Sequence, residues 1–173
     1  TIIGGGGGNN GGGDTPMGED ITDLGGSIRG SNDHLPWTGV DSDGSPDAER
    51  IEMLIDNDVN TKYLVGDELS WIEYSIDENA LVTGYSITSA NDTPDRDPRS
   101  WRLQGWGAST NGWVTLHSVS NHPMWEERFQ TKTWSFSNTD KWFSKFRLLI
   151  LAINGNNDGL MQMAELEIFG DLE

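Results

Sequence analysis

Ile55-Asp56-Asn57-Asp58-Val59-Asn60-Thr61-Lys62-Tyr63-Leu64 sets two carboxylates, two amides and a hydroxyl within six positions. The stretch lies between an amphipathic run and a strand-like segment. Oxygens turned inward at such a turn suit a hard cation such as Ca²⁺, which takes oxygen ligands. An Asx-rich surface turn reads the same way, because Asp and Asn side chains bond their own backbone in loops. Both readings stand on this stretch alone. A second stretch, Met161-Gln162-Met163-Ala164-Glu165-Leu166-Glu167-Ile168-Phe169-Gly170, bears on the choice between them.

Upstream, Ala48 to Asp56 places Ile51, Leu54 and Ile55 on one face, which predicts one or two helical turns. Downstream the apolar period becomes two. Strands are expected over Leu69–Ile76, Ala80–Ser89, Ser100–Gly107, Gly112–Ser118, Lys132–Ser137, Phe143–Ile153 and Met161–Phe169, with a further short one near Leu24–Arg29. Asn111-Gly112 signals a hairpin, and Ala90 to Pro98 reads as a connection. Seven or eight short strands separated by turn signals predict an all-β sandwich or barrel. The chain divides into a Gly-rich arm, residues 1–20, and one β domain, residues 21–173. Thr1-Ile2-Ile3 followed by Gly4 to Gly8 and Gly11 to Gly13 reads as a linker. It reads equally as a short strand that adds to the sheet edge of a neighbouring copy, giving a head-to-tail homopolymer through residues 1–13.

The chain carries 28 Asp and Glu against 11 Lys and Arg, a net charge of −17. That argues against a nucleic-acid partner, whose phosphates it would repel, and against an anionic membrane surface. It fits a cation binder or salty surroundings, although solubility alone accounts for most of these carboxylates. With no Cys, disulfides, thiolate zinc sites and Cys nucleophiles are excluded. No apolar run is long enough to cross a membrane as a helix. The start at Thr1, without Met or a signal-like apolar region, reads as a processed or excised segment.

His34, His117 and His122 fall in no metal or nucleophile motif, and no acid–base pair stands out among so many carboxylates, so the chain does not read as an enzyme. Loops offer better candidates for ligand contact. His34 and Trp37 share an acidic loop, though one buried Trp pinning that loop explains it as well. Asp92 and Arg96 lie in Asn91 to Pro98, where Arg96 either meets a ligand or braces the loop. Trp125 and Arg128 lie in Asn121 to Phe129, where Trp125 either offers a ring face to a sugar or caps the sandwich core. Eight Trp make both uses plausible at once.

Asp56 to Leu64, Val82 to Gly105 and Met161 to Gly170 appear in the order, and with much of the pattern, of discoidin-like domains. These are the coagulation-factor C-type and family 32 carbohydrate-binding modules. The likeness is closer to a branch found in bacterial adhesins, including a peptide-binding domain. It implies a galactose-binding-like jelly-roll of two antiparallel sheets. It implies Ca²⁺ between the acidic turn and the last strand, held by Asp56, Thr61 and Glu165, with Asp58 through its carbonyl or carboxylate and backbone oxygens near Met53–Leu54 and at Ala164. Asn57 replaces the usual Gly, a substitution that a left-handed backbone tolerates, and Tyr63 replaces the usual Trp. The function implied is a non-catalytic, Ca²⁺-stabilised binding or adhesion module, extracellular or at the cell surface of a bacterium. Its ligand would be a glycan or peptide end met by His34, Trp37, Asp92, Arg96, Trp125 and Arg128. The alternatives are a structural filament subunit and an accessory domain of a longer hydrolase.

Overall fold

The computed structural model describes residues 18–31, 49–107, 109–155 and 158–173. The arm, residues 1–13, with its proposed role in a homopolymer, lies outside them. Among the described residues ten strands follow in chain order: β1 (Glu19–Asp20), β2 (Ser27–Gly30), β3 (Tyr63–Val65), β4 (Trp71–Thr88), β5 (Pro98–Gly107), β6 (Gly112–Val119), β7 (Thr131–Ser135), β8 (Phe143–Ile153), β9 (Met161–Met163) and β10 (Glu165–Leu172). Among the described residues there is no α-helix; short 3-10 turns occupy Ile21–Asp23, Ile51–Ile55 and Pro94–Arg96. The expected turn at 48–56 is thus present, with Ile51 and Leu54 buried.

The architecture depends on β4. Its first half, Trp71 to Ser75, pairs antiparallel with β2 on one side and β8 on the other. Its second half, Gly84 to Thr88, lies between β10 and β7. One layer therefore reads β2-β4-β8-β5-β6 and the other β1-β10-β4-β7, with one strand belonging to both. Two separate strands were expected here. The exposed Asp77, Glu78 and Asn79 mark the corner, where the register to β8 slips between Ser75 and Ala80. Such a slip bends a strand without ending it.

The last expected strand is also divided differently. β9 pairs with β3, and β10 pairs with β4. Ala164 separates them, its N–H bonded to Thr88 O at 2.9 Å. At the other end, Glu19 pairs with Gly170 and Asp20 with Phe169. The expected boundary after residue 20 therefore falls inside the sheet: Gly18, Glu19 and Asp20 belong to the domain. A side chain at Gly18 would meet the Gly170 backbone at 2.5 Å, so the close approach requires glycine.

The two layers close on one core, with Val82, Tyr85, Ile87, Leu166 and Ile168 from one and Trp101, Leu103, Phe146, Leu148 and Ile150 from the other. β5 alternates as expected, Trp101 and Leu103 inward and Arg102 outward. Gly105 breaks that pattern because the Phe143 ring fills the space a Cβ would need, 2.2 Å away. A buried polar chain crosses this core. Trp101 Nε1 donates to Tyr85 Oη at 2.7 Å. The same hydroxyl lies 2.9 Å from His117 Nδ1, to which it donates when the neutral imidazole carries its proton on Nε2. Burial lowers the His117 pKa, in keeping with that neutral form.

Candidate functional site

The acidic turn folds as its composition requires. Asp56 Oδ1 accepts the Asp58 N–H at 2.9 Å, and Asp58 Oδ1 accepts the Asn60 N–H at 2.9 Å. Asn57 adopts φ 60°, the left-handed backbone expected there, and its amide donates to Asp23 Oδ1 at 2.7 Å. Thr61 Oγ1 lies 2.8 Å from both Asp56 Oδ2 and the Asp58 carbonyl oxygen. One hydroxyl proton serves only one of these, so three oxygens are gathered around a single hydrogen.

Glu165, at the start of β10, is 4% exposed, and neither carboxylate oxygen makes a well-formed hydrogen bond, although the Asn57 and Asp58 N–H groups are near enough to lower its pKa somewhat. Burial first, and then the neighbouring Asp56 carboxylate, push its pKa up to about 8. A buried carboxylate in this state is neutralised by a proton or by a cation. These residues fit the Ca²⁺ that the resemblance implies. Among the described residues no three carboxylate or imidazole side chains converge on one point. Asp56 and Glu165 would thus share the ion with Thr61 Oγ1 and carbonyl oxygens, a donor set suited to Ca²⁺. The Asp58 carboxylate is turned to Asn60, so Asp58 would contribute its carbonyl oxygen.

Beyond this turn, loops between strands gather at one end of the sandwich to form a rim. Gln162 on β9 is fully buried, and its Nε2 donates to Asp92 O at 2.6 Å and Thr93 O at 3.2 Å. Its Oε1 accepts from Lys62 Nζ at 3.2 Å, and the same ammonium bonds Asp92 Oδ1 at 3.0 Å. Burial alone would raise the Asp92 pKa, but Lys62 and Arg96 outweigh it and hold the carboxyl below the usual range. Arg128 meets the fully buried Asp97 through two bonds, 3.1 and 2.6 Å, and reaches Asp92 O at 3.2 Å. Burial nonetheless raises the Asp97 pKa against the pull of Arg128. Arg96 sets Nε and Nη2 on Asp158 Oδ2 at 2.9 and 2.7 Å.

The expected ligand contacts thus separate into groups. Asp92, Arg96 and Arg128 share the rim, yet each charge is already engaged within the protein. Trp125 is 4% exposed and packs on Trp101, with ring centroids 6.3 Å apart, and on His122, 4.7 Å apart. It is a core cap, with no free ring face for a sugar; its apolar bulk is buried where the loop closes over the strand ends. His34 and Trp37 lie outside the described residues.

The similarities to known proteins can be set beside this geometry. No protein-family model matches the chain. A family 32 carbohydrate-binding module from Clostridium perfringens, solved in complex with galactose, superposes with a TM-score of 0.62 at 15% identity, over 87% of this chain and 97% of that one. An F5/8 type C domain from Bacteroides fragilis gives 0.63 at 14% identity, over 90% and 97%. A fucolectin from striped bass serum gives 0.62 at 17% identity, over 87% and 48%. The chain has the galactose-binding-like fold. In sequence, it is 28% identical over 102 residues to a peptide-N(4)-(N-acetyl-β-glucosaminyl)asparagine amidase of Arabidopsis thaliana. That match spans 57% of this chain and 14% of the plant protein.

On this galactose-binding-like frame, one rim residue escaped the sequence reading. Phe129 is 44% exposed and adopts φ 58°, which a bulky side chain rarely does. Thr93, across the Arg128 bonds, adopts φ 38°. Strain of this kind persists only where surrounding contacts impose it, and it concentrates at functional sites. Nothing in the residues Arg128-Phe129 announces a left-handed backbone.

Proposed function

We propose that the chain is a non-catalytic glycan-binding module, stabilised by Ca²⁺ and working outside the cell or on its surface. The observation that carries this reading is the rim itself: Phe129, an exposed aromatic held in a strained conformation, beside loops cross-tied through Arg128, Gln162 and Lys62. Sugar recognition needs an apolar ring face with fixed polar groups around it. Phe129 would supply the ring face. Asp92, its side chain half exposed, and Arg96 would supply the polar groups, oriented in advance by their protein partners. Such advance ordering lowers the entropy cost of binding. Carbohydrate-binding modules and a lectin among the similar structures support the ligand class.

Asp56, Thr61 and Glu165 would hold the ion, which supplies the positive charge that the buried Glu165 lacks. The clamp joins the turn before β3 to the start of β10 and steadies the rim from below. The test is a glycan array, including galactose and N-acetylgalactosamine, probed with wild type and with Phe129→Ala, each with Ca²⁺ and with EDTA. Binding by wild type and none by Phe129→Ala is expected. Equal binding by the two proteins would remove Phe129, and with it this reading of the rim.

A second reading differs in context alone: an accessory domain in a longer glycan-processing enzyme. It is favoured by the plant amidase match, whose name describes action at a glycan–asparagine linkage and which this chain matches over a small part.

A further inference from the structure

The outward face of the β2-β4-β8-β5-β6 layer carries a pattern independent of the rim. Five residues, one per strand, stand in a single cross-sheet row. Arg29 is paired with Glu73, Glu73 with Arg147, Arg147 with Gln104, and Gln104 with Thr115. Arg29 sets Nε and Nη2 on Glu73 Oε1, both at 2.9 Å. Arg147 sets Nε and Nη2 on Gln104 Oε1 at 3.0 and 2.7 Å, and Gln104 Nε2 reaches Thr115 Oγ1 at 3.2 Å. On one side of this row lie Trp71, Leu149 and Arg102, and on the other Lys145, Trp106 and Trp113, again in register.

Two features separate this face from an ordinary solvated sheet. First, the Arg147 guanidinium lies 4.3 Å over the Trp113 ring and that of Arg29 lies 5.5 Å over Trp71. Each planar fork is fixed by an indole below and a side-chain acceptor beside it. Of the five N–H groups a guanidinium offers, these bonds use two. Second, Arg29, Arg102, Lys145 and Arg147 are four of the chain's 11 Lys and Arg, while Glu73 is the one carboxylate in these rows, on a chain of net charge −17. Arg29, Arg102 and Lys145 are exposed.

We propose that this face binds an anionic polysaccharide, one that carries carboxylate or sulfate groups along its chain. Pre-set guanidinium forks suit bidentate contact with such groups. Arg29 and Arg147 stand two strand spacings apart, roughly 10 Å, which matches a polymer with recurring charge rather than one small anion. Exposed parts of the indoles add apolar contact for the sugar rings. The acidic remainder of the surface confines polyanion binding to this one layer. The site is distinct from the rim and does not depend on the rim binding a glycan.

The test titrates the full chain with polygalacturonate, heparin and a neutral galactan at about 50 mM and about 500 mM NaCl, salt screening being the marker of charge-driven binding. At low salt, binding of at least one polyanion, weakened about tenfold or more in an Arg29→Gln/Arg147→Gln double variant whose cooperative melt shows it folded, is expected. Which polyanion binds tells carboxylate from sulfate. Phe129→Ala retains polyanion binding even if it loses every neutral sugar, so the two sites fail separately. No binding of either polyanion at low salt overturns the proposal, as does binding that the double variant leaves intact. Single-stranded DNA bound as tightly as the polysaccharide reduces the face to unspecific charge attraction. Dimers seen in sedimentation and lost in the double variant would assign the face to a second copy of this chain.

Discussion

Arg128 and Arg147 are chemically identical, and the molecule uses them in opposite ways. Arg128, in a loop, sinks its guanidinium against the fully buried Asp97 and against carbonyl oxygens of Ala90 and Asp92. Arg147, in the middle of β8, lays its guanidinium on the outer surface between Trp113 and Gln104. A loop has backbone groups to satisfy and consumes charge internally; a strand in a formed sheet has none to spare and displays its charge. Loop position, the usual pointer to function, here marks the structural arginine.

The largest test of this contrast is Arg128→Ala. It leaves Asp97 buried without its partner and should cost about 3 kcal/mol of stability, read as a fall in the urea midpoint with the slope unchanged. Arg128→Lys should recover part of this, because an ammonium cannot reproduce the two-pronged contact. If Arg147→Gln proved as damaging as Arg128→Ala, the division between internal and displayed charge would be wrong.

Next comes the acidic turn. In EDTA, a carboxyl with its pKa raised from 4.5 to about 8 sheds its proton sooner in the unfolded chain. Stability should therefore fall as pH rises from 4.5 toward 8 and level off above. Ca²⁺ should remove that decline. Glu165→Gln, which needs neither proton nor cation, should melt higher than wild type in EDTA at pH 8 and lose its response to Ca²⁺. Thermal melts across pH decide it, and a Glu165→Gln protein still stabilised by Ca²⁺ would place the ion elsewhere.

Phe129→Gly is a finer probe. Glycine accepts φ 58° without strain, so the variant should gain up to about 1 kcal/mol while losing sugar binding. A loss of stability instead would show that the ring is a packing residue. Smaller still, Asn57→Gly should be near neutral, whereas Asn57→Ala, facing the left-handed backbone without the bond to Asp23, should cost about 1 kcal/mol. Arg29→Gln belongs with these smaller effects, at about 1 kcal/mol, because the largely buried Glu73 loses its ion-pair partner and keeps at most an amide donor.

Much of this was legible in the residues because period-two patterns report burial directly. β8 emerged with its expected ends, and β5 showed its inward Trp101 and Leu103. Asn57 could be assigned to a left-handed turn because few other residues enter one. The continuity of β4 was not legible, because Asp77-Glu78-Asn79 has the composition of a turn and only pairing with β8 and β10 carries the strand through. The break at Ala164 was hidden in an unbroken apolar pattern. Trp125 misled because its place in a polar loop says nothing about whether that loop folds back over the core. The outer row escaped for a different reason: its five members are scattered from Arg29 to Arg147, and register alone assembles them.

The pairing of β1 with β10 carries one further consequence. Glu19 and Gly170 lie side by side, and Gly170 is paired with Val82, toward the opposite end of the β10–β4 pairing from Thr88 and the rim. Chain entering and leaving the domain would do so at neighbouring points, away from the loops. A tension applied through flanking chain would load those two strands from one end, like the first teeth of a zip, and would reach the rim last. A sandwich loaded in this way would carry the tension through β1 and β10 and leave its rim loops unstressed.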